Sequence, residues 1–576
     1  MRLIPGWLKH YRRADLRDDT LAGTITAILL VPQALAYALL AGLPPEVGLY
    51  ASVLPPLIYA LLGSSRTLAV GPVAVAAVMV ASALQQFADG DSSRALAGAL
   101  WLALLSGGFL LLFGLMRLGW LSYFVSHPVL SGFSTAAAIT IIGTQIPALT
   151  GVAGDRQAAF FGFMVDIFPR LNSSSWIVAA ATCATLGLLL AGRYRLSAWL
   201  TALGLSANLA TLATRMMPLL IVVLALVLSA HFDGAKHVAV VGDIPQGLPP
   251  LSMGFLWLEG WTGLIGSALL IAIIGYVESL SVARILAIRR RERIDPDQEL
   301  LALGATNIGA SLCGGMPVAG GFSRSMVNFD AGARTQLAAI ITSCWVALAA
   351  FALTDVLAPL PKLVLAAIVV VAVIQLIDFK SLLRTWRYDR RDGIAQLGTI
   401  MGVLLLGIEP GLLIGMALSI GLYLQRTSDP HIAVIGQVPG TEHYRNIHRH
   451  HVTTWPSLLL IRVDENIYFA NAPAIESHLM NLLATATEAK HLILVLSGVA
   501  NIDASGLEML ESMSHSLRDA GMTLHLAEVK GPVMDGLAKS ALLEILSAAQ
   551  VHLSTQAAVD SLTQEKSAIA YYLLDQ

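Results

Sequence analysis

Two stretches decide the fold: Arg66-Thr-Leu-Ala-Val-Gly71-Pro72 and Gly314-Gly-Met-Pro317-Val-Ala-Gly320-Gly321, the second leading directly into Phe322-Ser323-Arg324-Ser325. Each opens an apolar segment, and each places Gly and Pro where a regular helix wants helix formers. Irregular backbone survives at membrane depth only where protein or a watered cavity surrounds it. Both stretches are therefore expected to stay extended first and to turn helical only partway along.

The surrounding chain establishes that the depth in question is that of a bilayer. Of 576 residues, 56% are hydrophobic and only 13% are charged, with a mean hydropathy of +0.70. A soluble chain carries roughly a quarter charged residues to keep its surface wet. Apolar runs such as Leu337–Leu353 and Leu363–Ile377 approach the length of about 20 residues that a crossing helix needs. The formal charge of −2 offers no global field for nucleic acid, so no nucleic-acid partner is expected. Cys183, Cys313 and Cys344 all fall in apolar segments, which excludes a disulfide framework or a zinc pattern. The N-terminal 20 residues carry five basic residues, and the apolar run that follows is too long for a cleaved signal segment, so it is taken as a first span.

About fourteen hydrophobic units follow, from 20–41 to 411–426, with the third at 67–87, the eighth at 262–286 and the tenth at 318–331. Segment 197–213 is apolar but laced with Thr, Ser and Asn, and is treated as interfacial. With the N-terminus in the cytoplasm, about nineteen Lys and Arg fall inside and about five outside, which is the positive-inside bias. An even count returns the C-terminus to the same side. Composition changes near Thr427. The expected division is a transport domain over 1–428, made of repeats at roughly 1–230 and 231–428, then a linker and the start of the cytoplasmic region over 429–456, and a cytoplasmic domain over 457–576.

If the units form two sets of seven, the two broken segments hold the same position in each set. A matched pair of broken spans points to a transporter site built from inverted repeats. Half-helices that begin near the midplane would aim unpaired N–H groups and partial positive charge at one spot, which favours an anion. Arg324 adds a full charge there, and charge at that depth is costly unless it is used. Ordinary kinks are the plain alternative.

At these residues the sequence resembles the sulfate permease (SulP) family. The likeness is carried by Asp19-Thr-Leu-Ala-Gly23, Val31-Pro-Gln-Ala-Leu-Ala-Tyr37-Ala, Ala41-Gly-Leu-Pro-Pro-Glu-Val-Gly-Leu-Tyr50, Thr67-Leu-Ala-Val-Gly-Pro72, Asp297-Gln-Glu-Leu-Leu-Ala-Leu-Gly304, and Gly314-Gly-Met-Pro317 into Gly321-Phe-Ser-Arg-Ser325. The C-terminal part is similar to the STAS domain that this family carries. The resemblance implies an all-α polytopic membrane domain of about 14 spans, arranged as two inverted seven-span repeats with core and gate subdomains, plus a small α/β STAS domain over 457–576. It further implies a homodimer that carries small anions by moving core against gate. The substrate-site positions that match are Gln33, Tyr37, Val73, Phe322, Ser323 and Arg324, with Glu278 as the coupling-ion residue.

Each of these has a bland alternative. Ser323 suits an oxyanion but is also a natural helix N-cap. Gln33 could donate to substrate or satisfy a broken backbone, and Tyr37 and Phe322 could be plain core. Val73 would offer mainly its backbone N–H. Glu278 lies in Ile271-Ala-Ile-Ile-Gly-Tyr-Val-Glu278, with no charge in the seven residues before it. Its protonation would cancel repulsion of an incoming anion and so couple proton to substrate; sodium coupling or a structural Glu–Arg pair are the alternatives. Arg289-Arg-Arg-Glu-Arg293 is read as a positive-inside anchor, and His448-Arg-His-His451 as a solvated loop, so no metal is assigned.

In the soluble part, Leu458–Val463, Ile467–Phe469, Leu492–Leu496 and Thr523–Leu526 read as strands, with helical patterns over Ala472–Ala486 and Ala504–Leu517. Asn501-Ile-Asp503-Ala-Ser505-Gly-Leu-Glu508 is similar to the anti-sigma-factor-antagonist signature, in which the matching serine is phosphorylated; a helix start capped by Asp503 or Ser505 is the alternative. No nucleophile is paired with a base and no cofactor motif occurs, so an enzyme is not expected. The expected function is proton-coupled sulfate uptake at a bacterial inner membrane, with membrane lipid around it and a regulator at the STAS domain. Sodium-coupled bicarbonate or C4-dicarboxylate transport, or a membrane-anchored signalling module with STAS output, remain open.

Overall fold

The computed structural model describes residues 7–8, 11–123, 125–152, 160–204, 206, 210, 213–214, 216–231, 238–248, 251, 253–257, 259–563 and 569–571. The chain separates into two compact units, Met1–Ser419 and Ile420–Gln576.

The first unit is helical and its element order repeats. It runs α1 (Arg13–Leu40), α2 (Pro45–Tyr50) with α3 (Leu54–Leu62), β1 (Val70–Gly71) with α4 (Ala74–Ala88), α5 (Ser92–Leu115), α6 (His127–Thr150), α7 (Trp176–Ala191) and α8 (Met217–His231). The second pass runs α9 (Ile265–Arg290), α10 (Pro296–Leu312), β2 (Ala319–Gly320) with α11 (Phe322–Asp330), α12 (Leu337–Ala352), α13 (Lys362–Val373), α14 (Arg390–Leu406) and α15 (Ile408–Ser428). Among the described residues eight helical stretches are long and apolar enough to cross a membrane, and three shorter apolar helices accompany them. The third and tenth hydrophobic units are not continuous spans. Each begins as a two-residue strand, because Gly and Pro there withhold helix propensity. Of segment 197–213, Ser197–Ala202 continues the helix of α7 through a π-turn at Gly192–Leu196, while 205, 207–209 and 211–212 lie outside the described residues.

β1 and β2 pair antiparallel, Val70 opposite Gly320 and Gly71 opposite Ala319. The half-helices α4 and α11 therefore leave the crossing in opposite directions. Two buried carboxylates brace this arrangement. Asp19 in α1 accepts from the backbone N–H of Arg334 and Thr335 and from the Thr335 hydroxyl, at 2.6, 2.9 and 2.6 Å. Glu299 in α10 accepts from the Tyr59 hydroxyl at 2.8 Å and from Ser64 N–H and hydroxyl at 2.8 and 2.7 Å. Close helix contact does the rest: a Cβ on Gly23 would lie 2.5 Å from the Ala338 carbonyl, and one on Gly107 2.7 Å from that of Gly304.

The second unit is a small α/β domain. Its sheet runs β10 (Ile569–Tyr571), β5 (Val452–Thr454), β3 (Ile432–Gln437), β6 (Leu458–Val463), β7 (His491–Val495), β8 (Thr523–Ala527) and β9 (Val551–His552), with β4 (Tyr444–Asn446) beside β3. β6 to β9 are parallel, and β3 runs antiparallel to β6. Strand side chains alternate faces. Ile461, Val463, Leu492 and Leu494 pack under α16 (Ala472–Thr485) and α17 (Ala504–Asp519), while Ile435, Leu460 and Ile493 form the core of the other face. The stretch 429–456, expected from the sequence as linker and start of the cytoplasmic region, contains three strands of this sheet, β3, β4 and β5. Pro439 and Gly440 make only a turn between β3 and β4. Asp503 caps α17 by accepting from Gly506 N–H at 2.9 Å, which leaves Ser505 exposed.

On the face that carries Ile493, three imidazoles form a hydrogen-bonded row. His491 Nδ1 lies 3.1 Å from His525 Nε2, and His525 Nδ1 lies 3.2 Å from His552 Nε2. Burial, with His491 and His552 on either side, depresses the His525 pKa to about 4. An unfolded chain binds that proton near pH 6.5. The neutral row therefore stabilises the domain fully above pH 6.5, and the contribution is lost as pH falls from there towards 4. Amide hydrogen exchange of β7 and β8, corrected for intrinsic rates, should accelerate between pH 6.5 and 4.5, and a His525→Gln chain should show a flatter profile.

Candidate functional site

The crossing of β1 and β2 leaves many backbone groups without sheet or helix partners, and polar side chains supply them. Asn307 accepts from Val318 N–H at 2.9 Å and donates to the Val318 carbonyl at 3.0 Å. Ser325 accepts from Ala69 N–H at 2.9 Å, and Asn328 donates to the Thr67 carbonyl at 3.0 Å. Gln336 donates to the carbonyls of Ser65 and Leu68 at 2.7 and 3.0 Å, and Ser279 accepts from Gly320 N–H at 2.7 Å. Of these, sequence reasoning singled out none for this duty. Their only signal was polarity inside apolar runs.

Beside the crossing lies a partly open cavity of about 60 Å³. Gln33 and Tyr37 come from α1, Val73 from the cap of α4, Glu278 from α9, and Phe322, Ser323 and Arg324 from the first turn of α11. All seven residues singled out from the sequence for the membrane site line this one space. Ser505 belongs to the other unit. The opposite wall is Ala372, Val373, Gln375 and Leu376, at and just beyond the end of α13, and was not foreseen. Gln375 is held there by Arg193, whose Nη2 donates to its Oε1 at 2.6 Å while Nη1 donates to the Val371 carbonyl at 3.0 Å.

Both half-helices present bare N-termini to the cavity. The first backbone bond of α4 is Ala77 N–H to the Val73 carbonyl, and that of α11 is Ser325 N–H to the Gly321 carbonyl, each 2.9 Å. Neither start has a side-chain cap. The N–H groups of the first turns thus lack helical acceptors and carry the positive end of the helix dipole. Gln33, Tyr37, Glu278 and Ser323 make no side-chain hydrogen bond to protein among the described residues, so the N-cap alternative for Ser323 is not what the structure has. Ser323 and Phe322 are exposed within the cavity wall.

Arg324 has a double position. It is buried, at 3% exposure. Its guanidinium donates to the Ala69 carbonyl from Nη2 at 3.3 Å and Nε at 3.4 Å, and to the Pro72 carbonyl from Nη1 at 3.2 Å. The charge thus sits in the cavity wall while its fork binds the broken backbone of the other half. No direct ion pair joins it to Glu278 among the described residues.

Gly71 is what lets the fork lie flat. A Cβ there would stand 3.2 Å from Arg324 Nη2 and 3.3 Å from its Cζ. Gly71→Ala should lower stability by about 1–3 kcal/mol through overpacking. Gly108→Ala, where a Cβ meets nothing within 4 Å, should be neutral or stabilising by about 0.5–1 kcal/mol. Thermal unfolding of the two variants in the same detergent measures the difference, and equal melting would contradict the contact.

Comparison with known proteins agrees with this geometry. Residues 16–399 match the model of the sulfate permease family, and residues 449–558 match that of the STAS domain. The chain is 34% identical over 552 residues to the chloroplastic sulfate transporter 4.1 of Arabidopsis thaliana, covering 94% of this chain and 79% of that one. It is 33% identical over 558 residues to a probable sulfate transporter of Mycobacterium tuberculosis, covering 96% of each. Among solved structures, murine Solute Carrier 26 family member A9, an anion transporter in the inward-facing state, superposes with a TM-score of 0.87 at 23% identity, over 98% of this chain and 94% of that one. The transmembrane domain of a cyanobacterial bicarbonate transporter superposes at 0.59 with 22% identity, over 71% of this chain and 99% of that domain. These likenesses in structure extend to the fold, and the sequence matches extend to the family: the chain belongs to the sulfate permease family and carries its STAS domain.

Proposed function

We propose that the protein is a secondary active transporter of a small anion, with sulfate as the substrate and a proton as the coupling ion. The observation that carries this reading is the cavity between two oppositely directed half-helices, lined by bare helix N-termini, the Arg324 charge and the uncommitted side chains of Gln33, Tyr37 and Ser323. Such a site stabilises negative charge with fixed dipoles and needs no metal. The names of the relatives choose sulfate among small oxyanions.

Glu278 is the coupling residue in this reading. Its carboxylate shares the cavity with no direct ion pair, so an ionised Glu278 repels the incoming anion and a protonated one admits it. Binding of proton and anion is then mutually favourable, which is what symport requires. The division of the cavity wall supports an elevator-like step: α1, α4, α9 and α11 carry one side as a core, and the end of α13 with Gln375 forms the gate side. Both termini are assigned to the cytoplasmic face of a bacterial inner membrane, from the distribution of Lys and Arg. The STAS domain, with the exposed Ser505, is the place for a regulator or a dimer contact.

Uptake of labelled sulfate into proteoliposomes tests the reading, with bicarbonate, chloride and fumarate as competitors and with proton or sodium gradients imposed separately. An inward proton gradient should drive sulfate uptake, and Arg324→Gln should reduce it by about a hundredfold. Glu278→Gln should abolish the response to the gradient; uptake by that variant with full gradient dependence would sink proton coupling. Bicarbonate transport driven by sodium, with sulfate ignored, would overturn both substrate and coupling ion. A chain lacking residues 430–576 should retain part of the flux, and total loss would favour a signalling role for the STAS domain.

A further inference from the structure

Four arginines from four segments converge on a second pocket, at the end of the membrane unit where α1 begins and α9 ends. Arg12 stands just before α1, Arg66 before β1, Arg290 in the last turn of α9, and Arg334 between α11 and α12. The same four segments carry Gln33 and Tyr37, Val73, Glu278 and Ser323. Each of these four segments thus sends one guanidinium to this pocket, and the end of α13, which forms the opposite cavity wall, sends none. It is partly open and shares no lining residue with the substrate cavity.

Two carboxylates, Asp15 and Glu292, line it against four guanidiniums, and Asp15 accepts from the backbone N–H of Arg12 at 3.3 Å. Arg66 reaches Glu292 only at 3.7 Å, and Arg334 reaches Asp18 at 3.2 Å. Arg12 and Arg290 have no ion-pair partner among the described residues. Arg290 is half-buried and lies 4.6 Å from the centroid of the Phe329 ring. The nearby carboxylate of Asp19 is already committed to Arg334 N–H and Thr335. Like charges held together in a half-buried pocket raise the energy of the fold unless an anion joins them. Trp7, buried and donating from Nε1 to the Ala60 carbonyl at 2.8 Å, completes the pocket wall.

We propose that this pocket binds a phosphate-type oxyanion, the phosphodiester headgroup of an anionic phospholipid or a free phosphate, and that the bound group fastens the four core segments together at one end. Guanidinium forks match phosphate oxygens in pairs, and several arginines can share one such group. Basic pockets between span ends are where lipid headgroups are held. The proposal stands apart from the substrate reading, because it uses none of the cavity's residues. Its consequence is mechanical: a core fastened in this way moves as one body.

The test uses the full chain, purified and delipidated in a neutral detergent, with thermal unfolding followed on titration of phosphatidylglycerol, phosphatidylcholine or inorganic phosphate. Phosphatidylglycerol should raise Tm and phosphatidylcholine should not. The Arg12→Gln, Arg290→Gln double variant should need about thirtyfold more phosphatidylglycerol for the same rise. Its Tm without lipid should stay close to that of the parent, because neither arginine makes an ion pair among the described residues; a purely structural role for these arginines predicts a lower one. Inorganic phosphate alone producing the full rise would assign the same pocket to a soluble phosphate. Should the double variant fold poorly, native mass spectrometry of the parent and the single Arg12→Gln chain compares retained phosphatidylglycerol, which should fall in the variant. An equal response to both lipids, or a variant responding at the parent's concentration, would overturn the proposal.

Discussion

The membrane unit depends on one constraint: extended backbone crosses itself at membrane depth, and every polar group in it needs a partner. β1 and β2 satisfy only each other's few groups, since each is two residues long. An unpaired backbone group in such surroundings costs several kcal/mol. The helices packed around the crossing therefore carry Ser279, Asn307, Ser325, Asn328 and Gln336, each buried and each bonded to a strand or its flank. The residues look like scattered polarity along the chain, yet in space they form one shell.

Arg324 is the member of that shell that also faces the cavity. Its fork holds the carbonyls of Ala69 and Pro72, so the charge proposed to attract an anion also stabilises the opposite half-helix start. Binding and folding use the same side chain, and the glycine at position 71 exists to give it room. The two N-termini are aimed by the antiparallel register, and the register is held by the shell. Site geometry is thus a consequence of satisfying the backbone, with few side chains left over for substrate. Those left over are Gln33, Tyr37, Glu278 and Ser323.

Much of this was legible in the chain order. Hydropathy gave the membrane unit, Gly and Pro at 71–72 and 314–321 located both breaks, and the family resemblance pointed to seven of the residues that line the cavity. Two motif residues turned out to work at a distance from it: Asp19 fastens α1 to the turn before α12, and Glu299 fastens α10 to the stretch ahead of β1. How much of 429–456 belongs to the sheet was not legible, because Pro439 and Gly440 look like linker residues, whereas β3 ahead of them pairs with a strand that begins at Leu458.

Local composition settles which segments are apolar, where a helix must break and which residues are too polar to be idle, because those are properties of single stretches. What each polar group bonds to is decided by neighbours hundreds of positions away. Asn328 reaching Thr67 and Arg324 reaching Ala69 have no trace in local periodicity. The same holds for Gln375 on the far wall and for four arginines meeting in one pocket. Only packing brings such groups together, since hydrogen bonds and charges act over a few ångströms of space and are indifferent to separation along the chain.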